Sequence, residues 1–207
     1  MNCQATKHPD DKNPATAFLL KFVFNYRQLF PNVCRLKGLP IRIEFYFYMD
    51  EKLNMDKIII RKASLKDLGI LLRFEQGVIN AERPSDSTLK DGLIHYYDIE
   101  EMITASHIEL LVAELDGHVI GSGYARIENS KPYLKHKRHA YLGFMYVDPD
   151  YRGRGVNRKI IERLKQWSIS QDITEMRLDV YDNNLTAVKA YEGAGFTKHM
   201  VEMRMGL

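Results

Sequence analysis

The stretch Val147 to Ile161, V-D-P-D-Y-R-G-R-G-V-N-R-K-I-I, holds the residue types that bind an anionic ligand. The chain turns at Pro149, and Gly153 and Gly155 stand just before a run with Val156, Ile160 and Ile161 at helical spacing. Glycine lets backbone N–H groups approach a ligand with no Cβ in the way. A helix N-terminus adds convergent, unpaired N–H groups and the positive end of the helix dipole. Arg152, Arg154 and Arg158 surround the same point. Unpaired donors, a favourable dipole and cations together suit a pyrophosphate. The plainer alternative is a tight turn with a solvated basic rim. No Gly-Lys-Ser/Thr follows at the spacing of a nucleotide P-loop. The dinucleotide fingerprint fails too, because its third glycine would fall where Arg158 stands.

These residues resemble the coenzyme A signature of the GNAT acetyltransferase superfamily, Arg/Gln-x-x-Gly-x-Gly/Ala after a strand ending in Val-x-Pro. Here it reads Arg152-Gly153-Arg154-Gly155-Val156-Asn157, with Asn157 in place of the final Gly or Ala. A second stretch, Asn184 to Phe196, is similar to the superfamily's later Asn-x-x-Ala-x-x-x-Tyr-x-x-x-Gly-Phe segment. The resemblance spans residues 56–207. It implies an acetyl-CoA-dependent N-acetyltransferase that transfers acetyl to a primary amine by direct attack, without a metal. It places the cofactor along the backbone of Met145 and Val147, on residues Arg152 to Asn157, and at Asn184. It makes Tyr191 the general acid that protonates the leaving thiolate. Without the motif, Tyr191 reads as a helix tyrosine facing the core with Ala187. The strand before the glycines, His139 to Val147, carries no carboxylate. The general base therefore stays open among Tyr141, His139, Glu82 and a water chain.

In this superfamily the loop between the first two helices lines the acceptor site. Here it contains Asn80, Glu82, Arg83 and Asp86. Glu82 and Asp86 suit an ammonium group and Arg83 a carboxylate, so a small amino-acid-like or polyamine acceptor is expected; the alternative is a solvated, well-capped loop. The dense basic run Lys131 to His139 suits an acidic partner such as RNA or an acidic protein tail, or a solvated hairpin loop. His136 and His139 have neither cysteine nor glutamate beside them in sequence, which argues against a metal site. A protein N-terminal or lysine acetyltransferase, and a coenzyme A-binding sensor without turnover, remain the alternatives to a small-molecule enzyme.

Several elements must position these residues. A strand is expected at Ile58 to Arg61, and a helix from Ser64 to about Val78. A loop follows over Asn80 to Asp91, then a helix over about Leu93 to Met102. Strands Glu109 to Leu115 and Val119 to Ile127 flank the hairpin signal Asp116-Gly117. A strand His139 to Val147 leads into the glycines and a helix starting near Arg154. A strand Glu175 to Tyr181, a helix Asn184 to Gly193 and a strand Phe196 to Met205 complete the order. This is α+β, or three-layer α/β. The resemblance adds a central mixed, mostly antiparallel sheet with helices on both faces.

Composition sets the outer bounds. The chain has 207 residues, enough for one full domain. Both cysteines, Cys3 and Cys34, lie in the first 54 residues, so thiolate chemistry is excluded from residues 55–207. Residues 1–54 hold 8 Lys and Arg against 5 Asp and Glu, whereas the remaining 22 and 22 cancel. The basic balance therefore belongs to the leading segment and does not argue for a nucleic-acid-binding domain. No run reaches the roughly 18 apolar residues of a membrane span, and no secretory signal is evident, so the cytoplasm is expected. Residues 1–54 show no sustained period, and Met49 and Met55 stand just before the first strand. They are expected to be an upstream extension, with an element that docks or forms a homodimer as the competing reading.

Overall fold

The computed structural model describes residues 57–207. The readings of residues 1–54 as an extension, or as a docking or dimerising element, lie outside the described residues.

Strand β1 (Ile59–Lys62) pairs antiparallel with β2 (Ile108–Leu115), which pairs antiparallel with β3 (His118–Asn129). Strand β4 (Arg138–Val147) continues the antiparallel order, and β5 (Met176–Arg177) joins it in parallel. Between β2 and β3, Asp116 and Gly117 have φ of 50° and 81°. Two positive φ values in a two-residue loop match the twist of the flanking strands, as the Asp-Gly pair predicts.

Alternation along β2 splits the core into two layers. Leu110 and Val112 face Leu71 and Phe74 of helix α1 (Leu68–Glu82) and Ile99, Met102 and Ile103 of α2 (Ile99–Thr104). Leu111, Ala113 and Leu115 face the other way, toward Val156, Ile160, Ile161 and Leu164 of α3 (Val156–Ser170). Leu71, Leu110, Ile160 and Leu164 are wholly buried, each contributing about 1.5–3 kcal/mol of transfer free energy. The expected arrangement, a mixed and mostly antiparallel sheet with helices on both faces, is the one observed. Among the described residues no helix is long and apolar enough to cross a membrane.

Four segments differ from their expected form. Ser64 opens a 3-10 turn (Leu65–Asp67) before α1 begins, and α1 runs to Glu82 rather than Val78, taking the start of the expected loop into the helix. The Asp67 carboxylate accepts the Ser64 N–H and hydroxyl at 2.8 and 2.9 Å and two Arg61 nitrogens at 2.8 Å each, which tightens that entry. The second helix starts at Ile99 rather than Leu93. The buried Glu75 carboxylate accepts the N–H groups of Tyr96 and Tyr97 at 2.7 and 2.9 Å, so those donors cannot serve a helix there. Asp98 then caps α2 by accepting the Glu101 N–H at 2.9 Å. Strand β5 is two residues long, and Phe196 to Met205 joins no ladder of the sheet. Val201, Met203 and Met205 keep the alternation of a strand, yet they stand more than 80% exposed. A strand needs a paired edge, and its pattern alone does not supply one.

Candidate active site

Helix α3 begins on a glycine with no side-chain cap: Gly155 sits at φ 72° and Gly153 at φ 75°. The left-handed region costs an L residue with a Cβ about 1–2 kcal/mol, so both turns favour glycine. The Lys159 N–H reaches the Gly155 carbonyl at 3.1 Å, closing the first turn of α3. The N–H groups of Val156, Asn157 and Arg158 precede it and have no acceptor within the helix. Arg152 Nε donates to the Val147 carbonyl at 3.0 Å, tying this loop to the end of β4. The Arg154 guanidinium lies 5.4 Å from the Tyr151 ring centroid, and Arg158 is exposed. Asn157 Oδ1 is buried without a hydrogen-bond partner among the described residues. An orphaned acceptor beside free backbone donors calls for a ligand carrying both phosphate oxygens and N–H or O–H donors. Coenzyme A carries both, so the residues fit it.

The neighbouring edge of β4 is open. Its parallel pairing with β5 stops after Ala140 with Met176 and Tyr141 with Arg177. From Leu142 to Val147 that edge has no ladder partner among the described residues. The Asp148 N–H donates to Ile120 of β3 at 2.9 Å. Alternation then turns the N–H groups of Met145 and Val147 toward the open side. A bulge marks the same place. The register runs from Tyr124 opposite Gly143 to Ser122 opposite Tyr146, with Phe144 at φ 53°. Ser122 Oγ, buried, donates to the Phe144 carbonyl at 3.1 Å and holds the bulge. The Tyr97 ring lies 5.0 Å from the Phe144 ring, and the Phe144 N–H faces the Tyr97 hydroxyl.

On the α1 side, Glu82 ends its helix half-buried. Burial raises its carboxyl above the ordinary value, partly offset by a hydrogen bond from the Tyr96 hydroxyl. Tyr191, on helix α4 (Leu185–Gly193), packs against Phe196 with ring centroids 6.1 Å apart. Burial first, and the charge of Glu82 second, push its hydroxyl up to about 12. It therefore keeps its proton at neutral pH. Glu82 and Tyr191, far apart in sequence, thus share one neighbourhood with Tyr96 and Tyr97.

Other expected residues are engaged elsewhere. Arg83 donates to the carbonyls of Lys90 and Gly92 at 2.7 and 2.5 Å, clasping its own loop instead of facing a ligand. Asp86 accepts from Thr88, from Tyr181 at 3.1 Å and from Arg204 at 3.1 Å, which leaves Glu82 as the carboxylate with spare acceptor capacity. Asn184 Oδ1 accepts the Ala187 N–H at 3.2 Å and caps α4. Tyr141 donates to Asp179 at 2.9 Å. His139 lies at the far end of β4, its Nδ1 3.0 Å from Ser130 Oγ and its Nε2 3.6 Å from Glu128. His136 meets Glu175 at 3.1 Å and Arg177 at 3.0 Å. The fold thus supplies both histidines with glutamates that the local sequence does not show. Among the described residues, no cluster suited to a metal ion is present. Sequence reading missed Tyr96, Tyr97 and Tyr181. The paired tyrosines just before the Asp98 cap were the available signal.

Comparison with known proteins bears on the fold and the family. Aminoglycoside N(6')-acetyltransferase type 1 of Salmonella typhimurium is 28% identical over 120 residues, covering 55% of this chain and 74% of that protein. A variant of the BH1408 protein from Bacillus halodurans superposes with a TM-score of 0.66 at 20% identity, over 72% of this chain and 99% of that one. A protein from Clostridium acetobutylicum, described as a predicted acetyltransferase with acetyl-CoA, gives a TM-score of 0.53 at 20% identity, over 72% of this chain and 96% of that one. Residues 78–196, from the end of α1 through the glycine turn to Phe196, match the acetyltransferase (GNAT) family. More than half of the chain carries that match, and the protein belongs to this family and is an acetyltransferase.

Proposed function

We propose that the chain transfers the acetyl group of acetyl-CoA to the primary amine of a small cationic acceptor by direct attack, acting in the cytoplasm. The observation that carries this reading is the open edge of β4 running into the Gly153–Gly155 turn. N–H groups without a ladder or helix partner stand at both ends of this track, at Met145 and Val147 on the strand edge and in the first turn of α3. The turn, with Arg158 beside it, receives the pyrophosphate. Asn157 takes a hydrogen bond from a donor on the cofactor. A backbone N–H at the bulge polarises the thioester carbonyl, where negative charge develops. Tyr191, protonated at neutral pH, gives the departing sulfur its proton.

Three features support a small cationic acceptor: Glu82 with spare acceptor capacity, Arg83 turned into its own loop, and the relative that carries an aminoglycoside in its name. An acceptor carboxylate would find no free arginine at position 83. Calorimetry of acetyl-CoA with the full chain tests the cofactor site against Gly155→Glu, which sets a side chain and a negative charge against the pyrophosphate. Binding by the parent, its loss in a folded variant and thioester consumption with amines are the expected results. A folded parent that does not bind acetyl-CoA would overturn the reading.

A further inference from the structure

Among the described residues, Asp116, Phe144 and Asp172 have positive φ without being glycine. Aspartate tolerates that region through its short polar side chain, whereas an aromatic residue there is an outlier. Asp116 lies in the hairpin turn and Asp172 just past α3, but Phe144, at φ 53°, stands inside strand β4. Such strain persists only where the surroundings over-determine it, and an observed outlier is a pointer to function.

The bulge at Phe144 changes which N–H groups face the outer edge of β4. Before it, the Ala140 N–H donates across that edge to the Glu175 carbonyl at 3.0 Å, so even-numbered residues turn their N–H groups outward. After it, the Asp148 N–H turns inward to Ile120, and the odd-numbered Met145 and Val147 face out. An uninterrupted strand would have kept the Met145 N–H against β3. Gly123 stands opposite the two extra positions, Phe144 and Met145. A Cβ on Gly123 would meet Met145 Sδ at 2.6 Å and Ile160 Cγ2 at 2.8 Å, so the bulge packs where a glycine leaves room.

We infer that Ser122 is a positioning residue for acetyl transfer, acting through the Phe144 peptide unit to aim the Met145 N–H at the thioester oxygen. This rests on the acetyl-transfer reading above and adds the side chain that sets the aim. Ser122 is wholly buried, and its hydroxyl donates to the Phe144 carbonyl at 3.1 Å. That carbonyl and the Met145 N–H share one planar, trans peptide unit, in which they point in opposite directions. Holding the Phe144 oxygen toward Ser122 therefore holds the Met145 N–H away from it, at the open edge. On the α1 side the Tyr97 ring, 5.0 Å from that of Phe144, closes the other flank. Tyr97 is itself held by the buried Glu75 carboxylate, which accepts its N–H at 2.9 Å. The thioester oxygen gains negative charge as the amine attacks, and a donor aligned beforehand needs no reorganisation at that moment. Without the hydroxyl, the peptide unit can turn toward relaxed strand geometry. The glycine turn still holds the cofactor, so the loss falls on the chemical step.

The test compares the full-length wild type with Ser122→Ala, Ser122→Cys and Ser168→Ala. Ser168 is the control, because its hydroxyl, equally buried, donates to the Leu164 carbonyl at 2.9 Å within α3. Calorimetry reads acetyl-CoA binding, and kanamycin, spermidine and lysine amide serve as acceptor probes for kcat and KM. Infrared spectra of bound acetyl-CoA, labelled with carbon-13 at the thioester carbonyl, read the polarisation of that bond directly. The wild type should shift the carbonyl band to lower frequency than in free acetyl-CoA. Ser122→Ala should return the band toward its free position and lower kcat about 10-fold, less than the roughly 100- to 1,000-fold cost of losing a whole oxyanion donor, since the N–H remains. Its acetyl-CoA Kd and acceptor KM should stay nearly unchanged. Ser122→Cys, with a weaker donor, should fall between the two, and Ser168→Ala should lose stability alone. An unshifted band in the wild type, an equal shift in Ser122→Ala, or an equal loss of kcat in Ser168→Ala each overturns the inference. Should Ser122→Ala fail to bind acetyl-CoA, the band of Ser122→Cys decides; the infrared comparison needs no acceptor. A wild type that does not bind acetyl-CoA overturns the acetyl-transfer reading, and this inference with it.

Discussion

At Gly121 the backbone of β4 and the start of α3 both approach β3 closely, so Gly121→Ala probes the geometry of the proposed cofactor site with one methyl group. A Cβ there would lie 2.9 Å from the Tyr146 carbonyl oxygen, 3.3 Å from Val156 Cγ1 and 3.5 Å from Ile160 Cδ1. Ordinary contact begins near 3.4 Å, so roughly half an ångström must open between Gly121 and a backbone atom that no rotamer change can move. The methyl cannot slip aside, because α3 occupies the other flank. Overpacking of this kind costs about 1–3 kcal/mol. A domain of this size loses about 2–4 °C of Tm per kcal/mol. The displaced groups, Tyr146 and Val156, stand on either side of the proposed cofactor track. Acetyl-CoA affinity should therefore fall as well, by about tenfold for every 1.4 kcal/mol of strain relieved there. Thermal unfolding and calorimetry on the same preparation read both effects. Gly69→Ala is the control, since its Cβ meets nothing within 4 Å on the exposed face of α1, and it should gain about 0.5–1 kcal/mol. An unchanged Tm and Kd in Gly121→Ala would refute the close-approach reasoning.

Tyr191→Phe should lower kcat about 100-fold or more while leaving the acetyl-CoA Kd nearly unchanged; unchanged turnover in stopped-flow or steady-state assays would remove Tyr191 from the chemistry. The Arg61 guanidinium beside Asp67 lowers its pKa from an ordinary 3.8 to about 2, so its stabilisation is present above the higher value and is lost as pH falls through the lower one. That difference is worth at most about 2.5 kcal/mol, and Asp67→Asn should lose less stability than the wild type between neutral pH and that acid window in urea titrations. Glu75→Leu strands the buried N–H groups of Tyr96 and Tyr97 and should cost about 2–5 kcal/mol. The milder Glu75→Gln should raise the acceptor KM if Tyr96 and Tyr97 line the proposed acceptor side, with little change in acetyl-CoA Kd by calorimetry.

How much of this was legible in the sequence depended on the range of the interaction involved. The Asp116-Gly117 hairpin, the Asn184 cap and the glycine turn before α3 are encoded by the residues that form them, because dihedral preference and backbone hydrogen bonding act over a few positions. Turn residues bounded β2, β3 and β4, and helical spacing placed α3, since one buried face dictates the spacing of its apolar residues. The start of α2 was not legible, because it is set by the Glu75 carboxylate, some 20 residues earlier, taking the N–H groups that a helix would need. Nor was the end of the sheet: Phe196 to Met205 alternates like a strand, but whether an edge lies beside it depends on the divergence of β4 and β5.

The site divides along the same line. Arg152 to Asn157 announce an anion cradle locally, whereas Arg83 looks free in sequence and is clasped to Lys90 and Gly92 in the fold. Glu82 lies more than 100 residues from Tyr191, yet it contributes to the electrostatics of that hydroxyl. Residue types fix which protons and charges the chain can offer. Which of them remain unpaired, and which feel one another, is decided by burial and by distances across the sheet, because electrostatic coupling follows separation in space and exclusion of water.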